Sequence, residues 1–176
     1  MPGIDESRTF VPLTIAVLTV SDTRSLADDR SGTVLAEKLS AAGHVLHSRN
    51  LVRDDQPAIE AELRRLLEDE RVQVILTTGG TGITGRDVTP EAVHSVADKE
   101  IPGFGELFRQ LSYALIGTST IQSRALGAVA RGKYVFALPG SPGACRDAWD
   151  LILGQQLDSR YRPCNFAELL PRLGEQ

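Results

Sequence analysis

The chain has 176 residues, of which 41% are hydrophobic and 24% charged, and its formal net charge at pH 7 is −4. This length suits one globular domain with a sizeable core. The acidic balance and the low aromatic content of 5% argue against an extended nucleic-acid-binding surface. No apolar run approaches the roughly 18 residues that a membrane span needs. Cys145 and Cys164 lack a metal-binding spacing, and no secretion signal is apparent, so the sequence predicts a cytoplasmic protein with reduced thiols, acting without nucleic acid or membrane.

The first half of the chain alternates predicted strands and helices. Residues 1–10 are polar and are expected to form a flexible N-terminal tail, followed by a single domain over residues 11–170. The nearly continuous apolar run over 13–20 predicts a parallel strand that is covered on both faces. The same alternation then predicts a helix over 28–42, a strand over 45–52, a helix from Pro57, a strand over 72–78 and a helix over 89–98.

The second half adds a hairpin to this pattern. Apolar residues at helical spacing between 104 and 111 predict another helix after a turn at 101–103. The runs 126–130 and 134–138 predict a hairpin, and a last helix follows. The whole pattern predicts an α/β three-layer sandwich, with a mostly parallel sheet, an antiparallel edge hairpin and helices on both faces.

Three polar or glycine-rich segments follow predicted strands and are expected to meet. They are Ser21–Asp22, the loop from Gly79 to Asp87, and Pro139 to Gly143. In open α/β sheets, ligands bind outside the carboxyl ends of the strands. The sequence therefore predicts one site at that edge of the sheet.

The loop after the third strand carries four glycines within seven residues, ending at Gly85. Glycines let backbone N–H groups approach an anion without interference from a Cβ atom. Thr89 and Pro90 predict the start of a helix, with Thr89 as N-cap and the positive helix end near the loop. A phosphate-binding cradle is the functional interpretation, and a tight turn without a ligand is the structural alternative.

Two familiar phosphate motifs fit this loop only in part. Gly80-x-Gly82-x-x-Gly85 matches the dinucleotide fingerprint, but that fingerprint opens its helix within the glycines, whereas here the helix is predicted to begin near Pro90. A nicotinamide-dependent oxidoreductase is accordingly a remote alternative. A P-loop is rejected because Arg86-Asp87 occupies the places of Lys and Ser or Thr.

Asp87 is the leading candidate for catalysis. A carboxylate beside a bound phosphate needs a cation between them, so Asp87 is a candidate Mg²⁺ ligand. The alternative is an acid favoured by the dipole at a helix N-terminus. Asp54 or Asp55 could supply a second ligand, or both could form a solvated turn. Arg86 could neutralise phosphate charge or pair with Asp87.

Other polar residues complete the predicted site. Asp22, with Ser21, could orient a ligand hydroxyl group or ring nitrogen. Ser141 is a candidate N-cap whose helix N-terminus could also face the ligand. Hydroxyl groups around Ser119 and the cation of Arg124 lie ahead of the hairpin. No Ser-His-Asp or Cys-His arrangement is suggested, so covalent nucleophilic catalysis is not favoured.

At this point the motifs resemble the MoaB/MogA family of molybdenum cofactor biosynthesis proteins. The resemblance spans about residues 13–167, and the segments at 117–125 (GTSTIQSRA) and 164–166 (CNF) are more similar to the MoaB branch. The motifs that carry it are VLTVSD at 17–22, TTGGTGITGRDVTP at 77–90, PGFGE at 102–106 with Arg109, and LPGSP at 138–142.

This resemblance implies a molybdopterin-binding fold and a pterin substrate with a terminal phosphate. In active members, Mg²⁺-ATP adenylates that phosphate and releases pyrophosphate, and the family's two important aspartates correspond to Asp54 and Asp87. A homotrimer or hexamer is implied, as are contacts with other cofactor biosynthesis proteins. A non-catalytic molybdopterin carrier or scaffold is the alternative. The residues expected to bind molybdopterin or its phosphate are Ser21, Asp22, Gly79, Gly80, Thr81, Gly82, Ser119, Pro139, Gly140 and Ser141, the last standing where adenylylating relatives often carry Asn.

Overall fold

The computed structural model describes residues 1–175, which form a six-stranded sheet with helices on both faces and a separate two-stranded ribbon. Eight strands occur in this range: β1 (Gly3–Ile4), β2 (Thr14–Val20), β3 (Val45–Val52), β4 (Val74–Thr78), β5 (Lys99–Ile101), β6 (Leu126–Ala130), β7 (Lys133–Leu138) and β8 (Tyr161–Arg162). The α-helices are α1 (Arg30–Ala41), α2 (Gln56–Glu68), α3 (Thr89–Val96), α4 (Pro102–Ile116), α5 (Pro142–Ala148), α6 (Gly154–Gln156) and α7 (Phe166–Leu169).

The main sheet has the strand order β3-β2-β4-β7-β6-β5. The first four strands are parallel, β6 runs antiparallel to β7, and β5 runs antiparallel to β6. The predicted parallel sheet and its antiparallel hairpin are thus confirmed. The short strand β5, which the sequence did not predict, lies outside the hairpin and forms the edge.

Two apolar cores cover the two faces of the sheet. On one face, α1, α4 and α5 contribute buried residues such as Leu35, Phe108 and Ala148. On the other face, Ile59 and Leu63 of α2 lie in one cluster with residues of α3. Both cores are built from the apolar helical stripes that the sequence shows, and they leave the carboxyl ends of the parallel strands open for a site.

The N-terminal segment differs from the flexible tail predicted for residues 1–10. Strand β1 pairs with β8, and the backbone N–H of Asp5 donates to the carbonyl of Arg160 at 3.0 Å. Phe10 contacts the ring of His44, with 5.1 Å between ring centroids. This aromatic contact and the ribbon hold the segment against the domain, which the polar composition of the segment did not indicate.

The helix that was predicted to follow the hairpin is present, although α7 comes after it in the chain. It begins at Pro142 and runs through a π-helical turn at Trp149–Leu153 into α6. A 3-10 turn at Gly117–Gln122 connects α4 to the hairpin. Across residues 1–175, none of the helices combines the length and apolar character required to cross a bilayer.

Candidate functional site

The loops after β4 and β7 lie in direct contact, as the predicted convergence requires. The backbone N–H of Gly79 donates to the carbonyl of Leu138 at 3.0 Å. The hydroxyl of Thr78 donates to the carbonyl of Pro139 at 2.9 Å. Gly140 approaches so closely that a Cβ atom there would lie 3.1 Å from the Cα of Gly79. The two segments therefore form one continuous surface at the carboxyl end of the sheet.

The first two glycines of this loop are required by its geometry. Gly79 and Gly80 have φ values of +103° and +66°, a region that residues with a Cβ atom rarely occupy. A Cβ atom on Gly79 would lie 2.2 Å from the carbonyl oxygen of Val20, and one on Gly80 would lie 2.3 Å from the Thr89 hydroxyl. The loop is thus a close-packed backbone surface, which suits direct contact with an anion.

Thr89 holds the loop in a different way from the one predicted. Val88 occupies the N-cap position and Thr89 begins α3, so the prediction of Thr89 as N-cap was wrong. Its hydroxyl donates to the carbonyl of Gly79 at 2.8 Å, and its N–H donates to the carbonyl of Gly80 at 3.0 Å. Because the helix begins only after Gly85, the dinucleotide fingerprint is not formed.

Asp87 is held as a charged carboxylate beside the loop. Its Oδ2 atom accepts hydrogen bonds from the N–H and the hydroxyl of Thr84, at 2.9 and 2.6 Å. Burial by itself would raise the pKa of Asp87, but the bonds from Thr84 and the Gly82 N–H, with the charge of Arg124, lower it. Asp87 therefore carries its negative charge at neutral pH.

Asp22, in the loop after β2, and Asp54, in the loop after β3, connect these two loops. The N–H of Asp22 donates to Asp54 at 3.0 Å, and the N–H of Asp54 donates to Asp22 at 3.2 Å. Burial raises the pKa of Asp54, and the negative charge of Asp87 raises it further. Arg86 pairs with Asp22 and not with Asp87. Asp55 caps α2 by accepting from Ala58, so Asp54 is the member of the pair that bonds to the loop after β2.

The loops after β2 and β7 are tied together through Arg24. The Ser21 hydroxyl accepts from the N–H of Arg24 at 3.2 Å, and the Arg24 guanidinium donates to the carbonyl of Gly140 at 3.0 Å. Ser141 accepts from the N–H of Ala144 at 3.1 Å, which confirms it as the N-cap of α5. Ser21 thus supports the site indirectly, by accepting from the backbone of Arg24.

These loops open into a cavity of about 480 Å³. Its glycine wall, defined as Gly80, Thr81, Gly82 and Asp87, faces a helical wall, defined as α4 with the turn 117–122. Eight of the residues predicted for the site line the cavity: Gly80, Thr81, Gly82, Asp87, Ser119, Pro139, Gly140 and Ser141. The other four, Ser21, Asp22, Asp54 and Gly79, do not line it and lie around the base of the glycine wall.

Arg124 is a structural residue of the site whose role the sequence did not reveal. Its guanidinium donates to the carbonyls of Gly82 and Asp87 at 2.7 and 2.6 Å, and it pairs with Glu91. Its own N–H donates to the carbonyl of Thr81 at 2.9 Å. The sequence showed a cation ahead of the hairpin, but nothing in its spacing linked that cation to a loop some 40 residues earlier.

The helical wall supplies the apolar part of the cavity. Phe108, Ser112 and Leu115 follow one face of α4, and Ile116 ends it. The sequence predicted an apolar stripe only between residues 104 and 111, so Phe108 is the one cavity-lining residue that it included. It did not indicate that this face lines a cavity, because a cavity-facing stripe and a core stripe have the same periodicity.

Comparisons with known proteins give matches that cover most of the chain. A family model described as "Probable molybdopterin binding domain" matches residues 16–159. The chain is 48% identical over 160 residues to molybdenum cofactor biosynthesis protein B of Escherichia coli K12, covering 91% of this chain and 94% of the relative. It is also 48% identical to the protein of that name from Bacillus cereus over 142 residues, covering 80% and 84% respectively.

Solved structures of similar proteins share the fold. A crystal structure of a molybdenum cofactor biosynthesis protein B superposes with a TM-score of 0.86 at 41% identity, covering 96% of this chain and all of the other. The tungsten cofactor synthesizing protein MoaB from Pyrococcus furiosus superposes with a TM-score of 0.73 at 34% identity, covering 82% and 92%.

Proposed function

The chain belongs to the MoaB/MogA family of molybdenum cofactor biosynthesis proteins, on its MoaB side, and we propose that it binds molybdopterin and adenylates the terminal phosphate. The observation that carries this proposal is a charged Asp87 on the wall of the cavity, directly beside a glycine backbone that admits a phosphate. The pathway follows from the family, and the transfer of AMP is the step to be tested.

The glycine wall is the surface that we expect the phosphate to contact. Gly80, Thr81 and Gly82 line the cavity, and no Cβ atom separates the two glycine backbones from a ligand. Hydrogen bonds from Thr89 and Arg124 to backbone carbonyls of the loop hold it in place. Positioning and charge neutralisation account for most catalysis of phosphoryl and nucleotidyl transfer, so a rigid cradle is the main contribution expected from the protein.

Asp87 and Asp54 are the residues that would hold a magnesium ion. Burial and the negative charge of Asp87 both raise the pKa of Asp54, so the two carboxylates repel each other and a divalent cation between them would relieve the repulsion. Mg²⁺ is commonly held by one or two carboxylates together with substrate phosphates, and Asp87 and Asp54 supply that number. When bound, the ion would neutralise phosphate charge.

The reaction that we propose balances as a simple displacement. An oxygen of the molybdopterin phosphate attacks the α-phosphorus of ATP, a new P–O–P bond forms, and the bond to pyrophosphate breaks. Asp87 keeps its charge throughout, and the glycine wall orients the attacking phosphate. No covalent bond to the protein is required, in agreement with the absence of a recognisable nucleophile–base pair at this cavity.

The test is the formation of adenylated molybdopterin from molybdopterin and Mg²⁺-ATP by the purified protein, followed by mass spectrometry. Asp87→Asn should lower the rate about 100-fold or more, because it removes charge beside the transferred group, while most pterin affinity remains. Asp150→Asn is the matched control, since Asp150 pairs with Lys38 on the surface at 2.7 Å and should leave the rate unchanged.

A non-catalytic carrier or scaffold of molybdopterin is the second candidate. The observation that favours it is that Asp54, the second carboxylate of the proposed magnesium site, does not line the cavity, whereas Asp87 does. Wild-type protein that binds the pterin tightly but forms no adenylated product would establish the carrier and contradict adenylation. Assembly as a homotrimer or hexamer, contacts with other biosynthesis proteins and a cytoplasmic location stay predictions.

A further inference from the structure

The cavity contains a second carboxylate that neither the sequence analysis nor the proposed reaction uses. Asp147 lies on α5, where it lines the cavity together with Gly143 and Ala144. The three residues are spaced as neighbours on one face of a helix, so this face of α5 is turned toward the cavity. Asp87 reaches the same cavity from the glycine wall, which places carboxylates on two separate walls.

Asp147 has no internal partner among residues 1–175, neither a hydrogen bond nor an ion pair. The contrast with its neighbour one turn further is direct, because Asp150 is paired with Lys38 at 2.7 Å. A half-buried carboxylate accepts hydrogen bonds only, and ionised acceptors form the stronger bonds. The cavity side of α5 therefore offers an acceptor that is available to a ligand carrying N–H donors.

The surroundings of Asp147 suit a flat ring. Phe108 and Leu115 from α4 and Pro139 from the loop after β7 line the same cavity and provide apolar surface. Ligand sites commonly combine such apolar walls with a few polar groups that fix orientation. Asp147 would repel a phosphate and, unlike Asp87, has no part in the proposed magnesium site, so the charged end of a ligand belongs at the glycine wall and the ring belongs beside α5.

We propose that Asp147 determines specificity by accepting two hydrogen bonds from the pterin ring, one from N3–H and one from the 2-amino group. This assignment rests on the proposed binding of molybdopterin. The pterin edge presents two adjacent donors, which match the two oxygens of a carboxylate. Adenine presents its amino group beside the acceptor N1, which a carboxylate would repel, so the ATP base is the poorer match.

The experiment compares two ligands that differ only at this edge. The probes are the phosphate ester of 6-hydroxymethylpterin and the corresponding lumazine, in which oxygen replaces the 2-amino group. Their affinities for the full chain are measured by ligand fluorescence. Wild type should prefer the pterin about tenfold or more, because the lumazine leaves one carboxylate oxygen facing another acceptor.

The variant Asp147→Asn has nearly the same shape but presents one donor and one acceptor. It should lose the preference for the pterin or reverse it, since its amide can donate to the lumazine 2-oxygen. Asp150→Asn should keep the wild-type preference. Melting temperatures of both variants check that folding is retained.

The possible results separate this inference from the proposed reaction. Equal affinities of wild type for the two probes, or a full preference in Asp147→Asn, would overturn the role of Asp147. An effect of Asp147→Asn on the KM for ATP, without a change in pterin preference, would assign the residue to adenine instead. If Asp87→Asn loses adenylation but keeps the pterin preference, both proposals are supported. If wild type shows the preference but forms no adenylated product, only the proposed reaction is contradicted. Failure of wild type to bind either probe would overturn the pterin site itself.

Discussion

The glycine wall and the helical wall of the cavity are held in place by different forces. Hydrogen bonds fix the glycine wall: Arg124 binds two of its carbonyls, and Thr89 binds the carbonyls of Gly79 and Gly80. The helical wall combines apolar and hydroxyl side chains and is open near the end of α4, with Leu115 58% exposed and Ile116 56% exposed. A charged phosphate needs donors at fixed positions, whereas a flat ring needs apolar surface that tolerates small shifts.

This difference assigns separate tasks to the two walls. Substitutions in the glycine wall should disturb both the stability of the fold and the chemistry. Substitutions in the exposed part of the helical wall should weaken binding and leave stability nearly unchanged. Three variants test this separation, beginning with the largest expected effect, and a fourth concerns a residue away from both walls.

Gly80→Ala should destabilise the protein by about 2–4 kcal/mol, because it combines a positive φ with a clash. The new Cβ atom would lie 2.3 Å from the Thr89 hydroxyl and 3.2 Å from Asp54. Gly85→Ala is the control, since a Cβ atom there meets nothing within 4 Å, and its effect should stay within about 0.5 kcal/mol. Urea unfolding measures both. Equal stabilities of the two variants would contradict the idea of a rigid glycine wall.

Arg124→Lys should destabilise the protein by about 1–3 kcal/mol and lower the adenylation rate about tenfold or more. Lysine keeps the charge but cannot replace a planar group that donates to Gly82 and Asp87 together. Arg65→Ala is the control, because Arg65 pairs with Glu62 on the exposed face of α2 at 2.7 Å and should cost under about 1 kcal/mol. A lysine variant with wild-type rate and stability would show that charge alone supports the loop.

Much of this fold was predictable because its elements carry strong local signals. The strand at Val45–Val52 and the helical stripe Ile59, Leu63 and Leu66 appear as predicted. The glycine loop was predictable as well, since close backbone packing and positive φ require glycine at Gly79 and Gly80. Strand β5 was missed because three mostly exposed residues show no periodicity.

The unpredicted parts of the site depend on contacts between distant segments. Arg124 reaches Gly82 across 42 positions of sequence. Thr89 and Pro90 predicted a helix start, but the hydroxyl of Thr89 bonds to the loop and Val88 takes the cap position. The cavity-facing side of α4 has the same apolar period as a core helix. Local sequence rules define elements, whereas the walls of a cavity are defined by how those elements meet.

Leu115→Ala tests the helical wall. Leu115 is largely exposed but lines the cavity, so its truncation should change the free energy of unfolding by less than about 1 kcal/mol. A bound ligand would cover this side chain, so the lost apolar contact should weaken molybdopterin binding by about 5- to 30-fold. Leu169→Ala, on exposed surface away from the cavity, should change neither quantity. A loss of stability without a loss of affinity would reverse the assignment of tasks.

The smallest expected effect concerns His44, which lies at the amino end of β3, at the opposite edge of the sheet from both walls. His44 is 6% exposed, and its Nδ1 atom accepts from the N–H of Leu13 at 3.1 Å. Burial lowers the pKa of His44, with a smaller opposing effect from Asp158. The folded state therefore resists protonation, and the unfolded state takes up a proton first as the pH falls below about 6.5. The contribution of His44 to stability should be fully present above that pH and should decrease below it by at most about 1.4 kcal/mol per pH unit.

Urea unfolding between pH 8 and pH 5 measures this slope, and His44→Gln should reduce it while leaving pterin affinity unchanged at pH 8. An unchanged slope in the variant would place the pH dependence elsewhere, and a changed affinity would show that the site and the opposite edge of the sheet are coupled.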